Sequence, residues 1–303
     1  MRGTNVHGPA RGRLCPAASE RPLSCGSPTI NAIRSKGVCL MKQNTLRALL
    51  AAGKPTTATR LLSSDPLFTE MAGASGNYDY IEFMAECASF SQDSLENIAR
   101  AAELHGMGSL IKVDFQNRGY VAQRAIASGF QGVLFTDCRS AEEVRESIRL
   151  ISPETPQDGG HFGFPLRRFI GFQPKVPQMD HAQRLREIVK AFMIEKKEAL
   201  EDIEAICATP GVDMVQFGGS DFSLSSGRNA KDTEKERKEA ERKIIEVALR
   251  HGVRPRCEIQ TPEGAQYYID LGVRDFCLGD NILYLMEKYA KDGGALRAIA
   301  NTL

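Results

Sequence analysis

The sequence predicts an α/β protein with a (β/α)8 TIM barrel, on three observations. Short apolar runs alternate with helix-like stretches from Thr57 to Tyr289. Eight strand–helix units fill roughly 260 residues, the length that a closed barrel needs. An open doubly wound sheet is the alternative, but no glycine-rich dinucleotide fingerprint opens the first helix.

The elements follow in order. Thr57–Ser63 reads as a strand and 66–74 as its helix, then Tyr78–Met84 with the amphipathic Asp93–His105. Ser109–Phe115 precedes a helix through Val121–Ala127, and Gly132–Thr136 precedes Ala141–Ile151. After a Gly/Pro-rich loop come a strand at Arg168–Phe172 and a helix at Asp180–Val189. Phe192–Glu195 leads into Lys197–Ala208, and Val212–Phe217 into the long helix Asp232–His251, whose alternating charge marks a solvated face. Arg256–Ile259 with Pro262–Leu271 and Arg274–Leu278 with Ile282–Tyr289 complete the series.

Composition narrows the function classes. A chain of 303 residues, 42% hydrophobic and 25% charged, is built like an ordinary globular protein. Its net charge of +1 gives no bias towards nucleic acid or membrane surfaces. No apolar run reaches the roughly 18 residues that span a bilayer. Eight cysteines without CxxC pairs suit single thiols in a reducing, cytoplasmic compartment. Residues 1–40 differ from the rest: six basic residues against Glu20, rich in Gly, Pro and Ser. They read as a disordered basic leader or an extension upstream of Met41, with an organelle transit peptide as the alternative. Residues 41–303 form the expected barrel domain.

Two strand ends carry the chemistry. Ala191-Phe-Met-Ile-Glu195 and, about 25 residues on, Gly218-Gly-Ser-Asp221 each end an apolar run in one acid. Two carboxylates delivered this way suit a hard divalent cation with open coordination positions. The alternative roles are a turn cap for Asp221 and a helix-start acid for Glu195. In a barrel both lie on the face where strands end and helices begin.

The runs Ile194-Glu195-Lys-Lys-Glu-Ala-Leu-Glu-Asp-Ile and Pro210-Gly-Val-Asp-Met-Val-Gln-Phe-Gly-Gly-Ser-Asp221 resemble the metal-binding core of the HpcH/HpaI family of class II pyruvate aldolases. The resemblance extends from about Leu46 to Leu285. It implies a divalent cation (Mg, Mn or Co) held by Glu195 and Asp221, chelated by pyruvate or its enolate. The substrate carboxylate would rest on backbone amides of Gly218, Gly219 and Ser220. The terminal Tyr284–Leu303 segment resembles helices exchanged between subunits, which implies a homo-oligomer, a hexamer by analogy.

The catalytic half departs from the family pattern. Where an Asp-x-Glu-His motif is expected, the chain has Met84-Ala-Glu86-Cys87. Lys112 stands for the substrate-contacting arginine, Ala127 for the carboxylate that pairs with the histidine, and Met193 for a glutamine. Strand parity puts Tyr80, Glu82, Met84 and Glu86 on one face. The resemblance implies that Lys112 faces inward on its strand and that Arg60 stands where the family has an aromatic residue. Arg60, Glu82 and Lys112 are then the replacement catalytic candidates at the barrel mouth, with Arg60 or Lys112 on the ketone oxygen or a distal anion. The alternative is that Glu82 and Lys112 merely neutralise each other. The loop at 159–168 would carry His161 and Arg168 over the mouth as a substrate clamp. Cys87 reads as a small buried thiol, and His181 and His251 as helix residues.

The expected function is a metal-dependent carbon–carbon lyase, cleaving a 2-oxo-4-hydroxy acid to pyruvate and an aldehyde. The alternatives are a decarboxylase or condensing enzyme using the same enolate, or a silent 2-oxo acid-binding barrel. The expected partner is a small 2-oxo acid, with no nucleic acid and no membrane.

Overall fold

The computed structural model describes residues 43–303 apart from 166 and 174, so the expected leader lies outside the described residues. Eight parallel strands close into a barrel in chain order: β1 (Thr56–Leu61), β2 (Tyr80–Met84), β3 (Gly108–Val113), β4 (Gly132–Phe135), β5 (Val189–Ile194), β6 (Met214–Phe217), β7 (Arg254–Ile259) and β8 (Asp275–Asp280). The expected TIM barrel is present.

Helices surround the strands: α1 (Thr45–Ala51), α2 (Pro66–Ala74), α3 (Gln92–Leu104), α4 (Arg118–Ser128), α5 (Ala141–Ile151) and α6 (Gln178–Arg186). Then follow α7 (Lys197–Glu201), α8 (Ile203–Cys207), α9 (Gly219–Ser225), α10 (Glu234–Arg250), α11 (Ala265–Asp270) and α12 (Asn281–Ala300). Their starts are written locally. Asp65 caps α2 with Pro66 in its first turn. Ser91 and Ser94 exchange side-chain bonds as a capping box on α3.

Two apolar layers hold the barrel. Phe83, Ile111, Phe135, Phe192 and Val215 point outwards onto Ile98, Ile126, Val144, Ile206 and Ile244 of the helices. Inside, Ala58, Leu110, Leu134, Val189, Ala191, Met214 and Cys277 fill the lower half, and Leu46 of α1 packs among them. Asn44, ahead of α1, donates to the carbonyls of Gln131 and Glu187 and so ties that helix across the strand starts.

Three expectations change. Arg168–Phe172 is not a strand. It is a single 3-10 turn stopped by Gly171 in left-handed backbone (φ 63°), inside the connection from α5 to α6. The expected helix Lys197–Ala208 is two short helices meeting at Asp202. Gly218–Asp221 is more than a turn, because Gly219 opens α9. Among the described residues no helix is long and apolar enough to cross a membrane.

Candidate active site

The upper half of the barrel interior is polar, and its charges divide into two groups. On the side of β7, β8 and β1, Arg256 is fully buried and forms a close ion pair with the equally buried Glu82. Arg256 Nε also donates to the Tyr80 hydroxyl at 2.7 Å, and its Nη1 donates to the Gln216 side-chain carbonyl. Gln216 passes the network on, donating Nε2 to Glu258 Oε1 at 2.7 Å. The other Glu258 oxygen accepts from Arg60 Nη1 at 2.7 Å. Arg60 also donates to the Gly279 carbonyl at 3.3 Å and to Asp280 at 3.4 Å. Burial, the largest single influence, pulls the Arg256 guanidinium down, but Glu82 with Tyr80, Cys277 and Glu258 together hold it well above its usual range. Buried charges persist only when partnered this way.

The side of β3 to β6 is built differently. Glu195, the first residue past β5, is 1% exposed. Its Oε1 accepts the Asp137 backbone N–H at 2.8 Å, while Oε2 is buried without a hydrogen-bond partner. Burial raises this carboxyl to about 7 against the opposing pull of the Asp137 amide and Lys112, and Asp137 and Asp221 add to the rise. Asp137 holds left-handed backbone (φ 59°), uncommon for a non-glycine residue. Its side chain pairs with Lys196 at 2.6 Å. Gly218 is required opposite: a Cβ there would stand 2.5 Å from Glu195 Oε2 and 2.6 Å from Glu195 Cβ. Asp221 follows in the first turn of α9.

Lys112 joins this side. It is 6% exposed and pairs with Glu86 Oε2 at 2.6 Å. Burial pulls the ammonium down, but Glu86, Glu195 and Glu82 leave it above its ordinary value, so it stays charged. Cys87 is exposed, contrary to the expected buried thiol, and burial of its sulfur together with Glu86 raises it above a free thiol. It supplies no base where the family motif has its histidine.

The structure therefore brings Glu195, Asp221, Gly218, Gly219, Ser220 and Lys112 to one side of the mouth, and Arg60 and Glu82 to the other. Glu82 and Lys112 attract each other, but each forms its direct ion pair elsewhere, Glu82 with Arg256 and Lys112 with Glu86. Arg256, Gln216, Glu258, Asp280, Glu86 and Asp137 were missed. The available signal was the alternation Arg254-x-Arg256-x-Glu258, which places three charges on one face of a strand. Arg168 is a correction. It pairs with Glu103 at 2.5 Å and donates to the Ser128 carbonyl, near the ends of α3 and α4 and below the start of β4. That is the opposite face from the mouth, because an α-to-β connection returns to the strand starts. His161 lies in the same connection, its amide bonded to the Arg149 carbonyl. His181 packs among Phe162, Phe164 and Phe169, and His251 caps α10 and meets Glu204 at 2.8 Å.

An unpartnered carboxylate oxygen with a second carboxylate beside it is the donor set of a hard cation. Among the described residues no group of three or more His, Cys, Asp or Glu converges on one point. The pair therefore fits a divalent ion that keeps water or substrate on its other positions, and not a closed structural site.

A sequence model of the family described as HpcH/HpaI aldolase/citrate lyase matches residues 91–257, more than half of the chain. The chain belongs to the HpcH/HpaI family. It is accordingly an enzyme of carbon–carbon lyase type, and its relatives agree. It is 23% identical over 246 residues to a hydroxypyruvate/pyruvate aldolase of Paraburkholderia phytofirmans, covering 76% of this chain and 92% of the relative. A 5-keto-4-deoxy-D-glucarate aldolase of Klebsiella pneumoniae is 25% identical over 241 residues, covering 79% and 91%. Among solved structures, an HpcH/HpaI aldolase from Desulfitobacterium hafniense superposes with a TM-score of 0.73 at 25% identity, covering 83% of this chain and 96% of that one.

Proposed function

We propose that the enzyme cleaves a 2-oxo-4-hydroxy acid to pyruvate and an aldehyde, with a divalent cation (Mg, Mn or Co) held by Glu195 and Asp221. The observation that carries this is the buried, unpartnered Glu195 Oε2 beside Asp221. When bound, the cation supplies Lewis-acid stabilisation of negative charge growing on the ketone oxygen. The backbone amides of Gly219 and Ser220, at the start of α9, would receive the substrate carboxylate. Lys112, kept charged by Glu86, donates to the ketone oxygen from the other side. It replaces a bidentate guanidinium with a single point charge, so it orients less and relies on Glu86 for direction. In the reaction the C4 hydroxyl loses its proton, the C3–C4 bond breaks, and its electrons pass into the enolate of pyruvate, which is then protonated at C3.

One observation favours a second reading, decarboxylation or condensation through the same enolate. Cys87 stands at the family's histidine position and its thiol is raised, so that position offers no base for the hydroxyl proton. We also propose that copies assemble through α12, whose Ile282, Tyr284, Met286, Tyr289, Leu296 and Ile299 are exposed. The test of the cleavage reading is pyruvate release from 2-oxo-4-hydroxy acids with Mg, Mn or Co, alongside calorimetric metal binding. Tight metal binding with no pyruvate release across that panel overturns it.

A further inference from the structure

We propose that the substrate carries an uncharged, hydroxylated tail beyond C4, and that Arg60, Glu258 and Asp280 select it over a carboxylate tail. This rests on the cleavage reading and specifies its substrate class. A 2-oxo acid anchored at Glu195 and Asp221, which follow β5 and β6, would extend across the mouth towards the opposite wall. That wall is made by the ends of β7, β8 and β1, where Glu258, Asp280 and Arg60 stand.

Arg60 would be the natural receptor for a second carboxylate, but three of its five N–H groups are engaged and its charge is already met. Nη1 donates to Glu258, Nη2 to Asp280 and Nε to the Gly279 carbonyl. Glu258 in turn is fixed by Gln216, and Asp280 by the amide of Leu283. Turning Arg60 to a substrate carboxylate would weaken both of its ion pairs. Lys196 is paired with Asp137, and Lys112, paired with Glu86, is committed to the ketone oxygen in the cleavage reading.

The charge balance points the same way. Glu86, Asp137, Glu195, Asp221, Glu258 and Asp280 are six carboxylates against the four cations Arg60, Lys112, Lys196 and Arg237, the last lying against Gly219. A divalent cation answers the two excess negative charges, and the 2-oxo acid's own carboxylate restores one. A second carboxylate on the tail would enter a mouth that is already negative. Hydroxyl groups meet the reverse situation. Glu258 and Asp280 keep free acceptor lone pairs, and a carboxylate accepts strongly from a hydroxyl.

The experiment compares two five-carbon substrates that differ only at C5. They are 2-oxo-4,5-dihydroxypentanoate, which ends in CH2OH and releases glycolaldehyde, and 4-hydroxy-2-oxoglutarate, which ends in a carboxylate and releases glyoxylate. Binding of 5-hydroxy-2-oxopentanoate and 2-oxoglutarate to the metal-loaded protein is measured by calorimetry in parallel. The expected result is at least about 10-fold higher kcat/KM, and tighter binding, for the hydroxyl-ended member of each pair. Glu258→Gln, which retains an acceptor for Gln216 but releases Arg60 from its partner, narrows or inverts that ratio by raising carboxylate-tail turnover. Equal or better use of the carboxylate tail by the unaltered enzyme overturns the selectivity and leaves the cleavage reading standing. Absence of pyruvate from both substrates, with metal bound, overturns the cleavage reading and the selectivity with it.

Discussion

The two walls of the mouth are both charged and buried, yet they solve the problem of buried charge in opposite ways. The β7–β8–β1 wall links Tyr80, Glu82, Arg256, Gln216, Glu258, Arg60 and Asp280 into one continuous polar network. The β5–β6 wall leaves Glu195 Oε2 with no partner, braced by the Asp137 amide and closed in by Gly218. Glu82 accepts no hydrogen bond there, but its charge is met by Arg256, so that network is neutralised and has little left to give a ligand. An orphaned carboxylate costs stability until something binds it, which is the mark of a site.

The largest effect that tests this contrast is expected from Glu195→Gln. Metal binding by calorimetry should vanish and pyruvate release should fall by about 1000-fold or more. The metal-free protein should become more stable at the same time. Because the folded carboxyl is raised to about 7 from an ordinary 4.5, the native state holds a proton that the unfolded chain has lost between those values. The unaltered protein therefore loses stability as pH rises through that window, and the loss is complete above pH 7. Glu195→Gln removes this slope and should be roughly 3 kcal/mol more stable near pH 8, read by denaturant unfolding. A variant that is less stable at pH 8 would show that Glu195 is already satisfied in the native protein.

Arg256→Met breaks the opposite wall. It strands Glu82, which is fully buried, and should cost about 3–5 kcal/mol of unfolding free energy. The pair Arg256→Met with Glu82→Leu should recover most of it, since replacing both charges removes the uncompensated one. Failure of the double variant to recover would mean that the network does more than neutralise charge.

Gly218→Ala is a smaller, local probe. The new Cβ would collide with Glu195, so metal affinity should drop by about 10- to 100-fold and the unfolding midpoint should fall with it. Smallest is Arg168→Ala. It removes the pair with Glu103 on the far face, and should lower Tm by about 2–4 °C with KM and kcat unchanged. A change in KM would return the connection from α5 to α6 to the mouth.

The fold was legible because each strand and helix announces itself locally. Glu195 and Asp221 were legible because each is the first acid after an apolar strand, and a barrel puts such positions on one face. Partner choice was not. Parity put Glu82 inside the barrel and the family resemblance put Lys112 there, but each found a different partner, Arg256 and Glu86. Arg256 lies on a strand 174 positions further along the chain than Glu82, and periodicity carries no information across that separation. Arg168–Phe172 misled for the reverse reason. Phe169 and Ile170 are buried, as a strand's would be, but they belong to one turn that ends at Gly171. Nothing in the sequence around Asp137 marks its left-handed backbone, since aspartate reaches that conformation only when its surroundings impose it.

Asp280 is shared by two parts of the molecule. One of its oxygens caps α12 through the Leu283 amide at 2.7 Å, while the other faces Arg60 at 3.4 Å. The N-cap of the final helix and the rim of the mouth are thus the same carboxylate. Replacing Asp280 would remove the cap of α12 and a partner of Arg60 in one step.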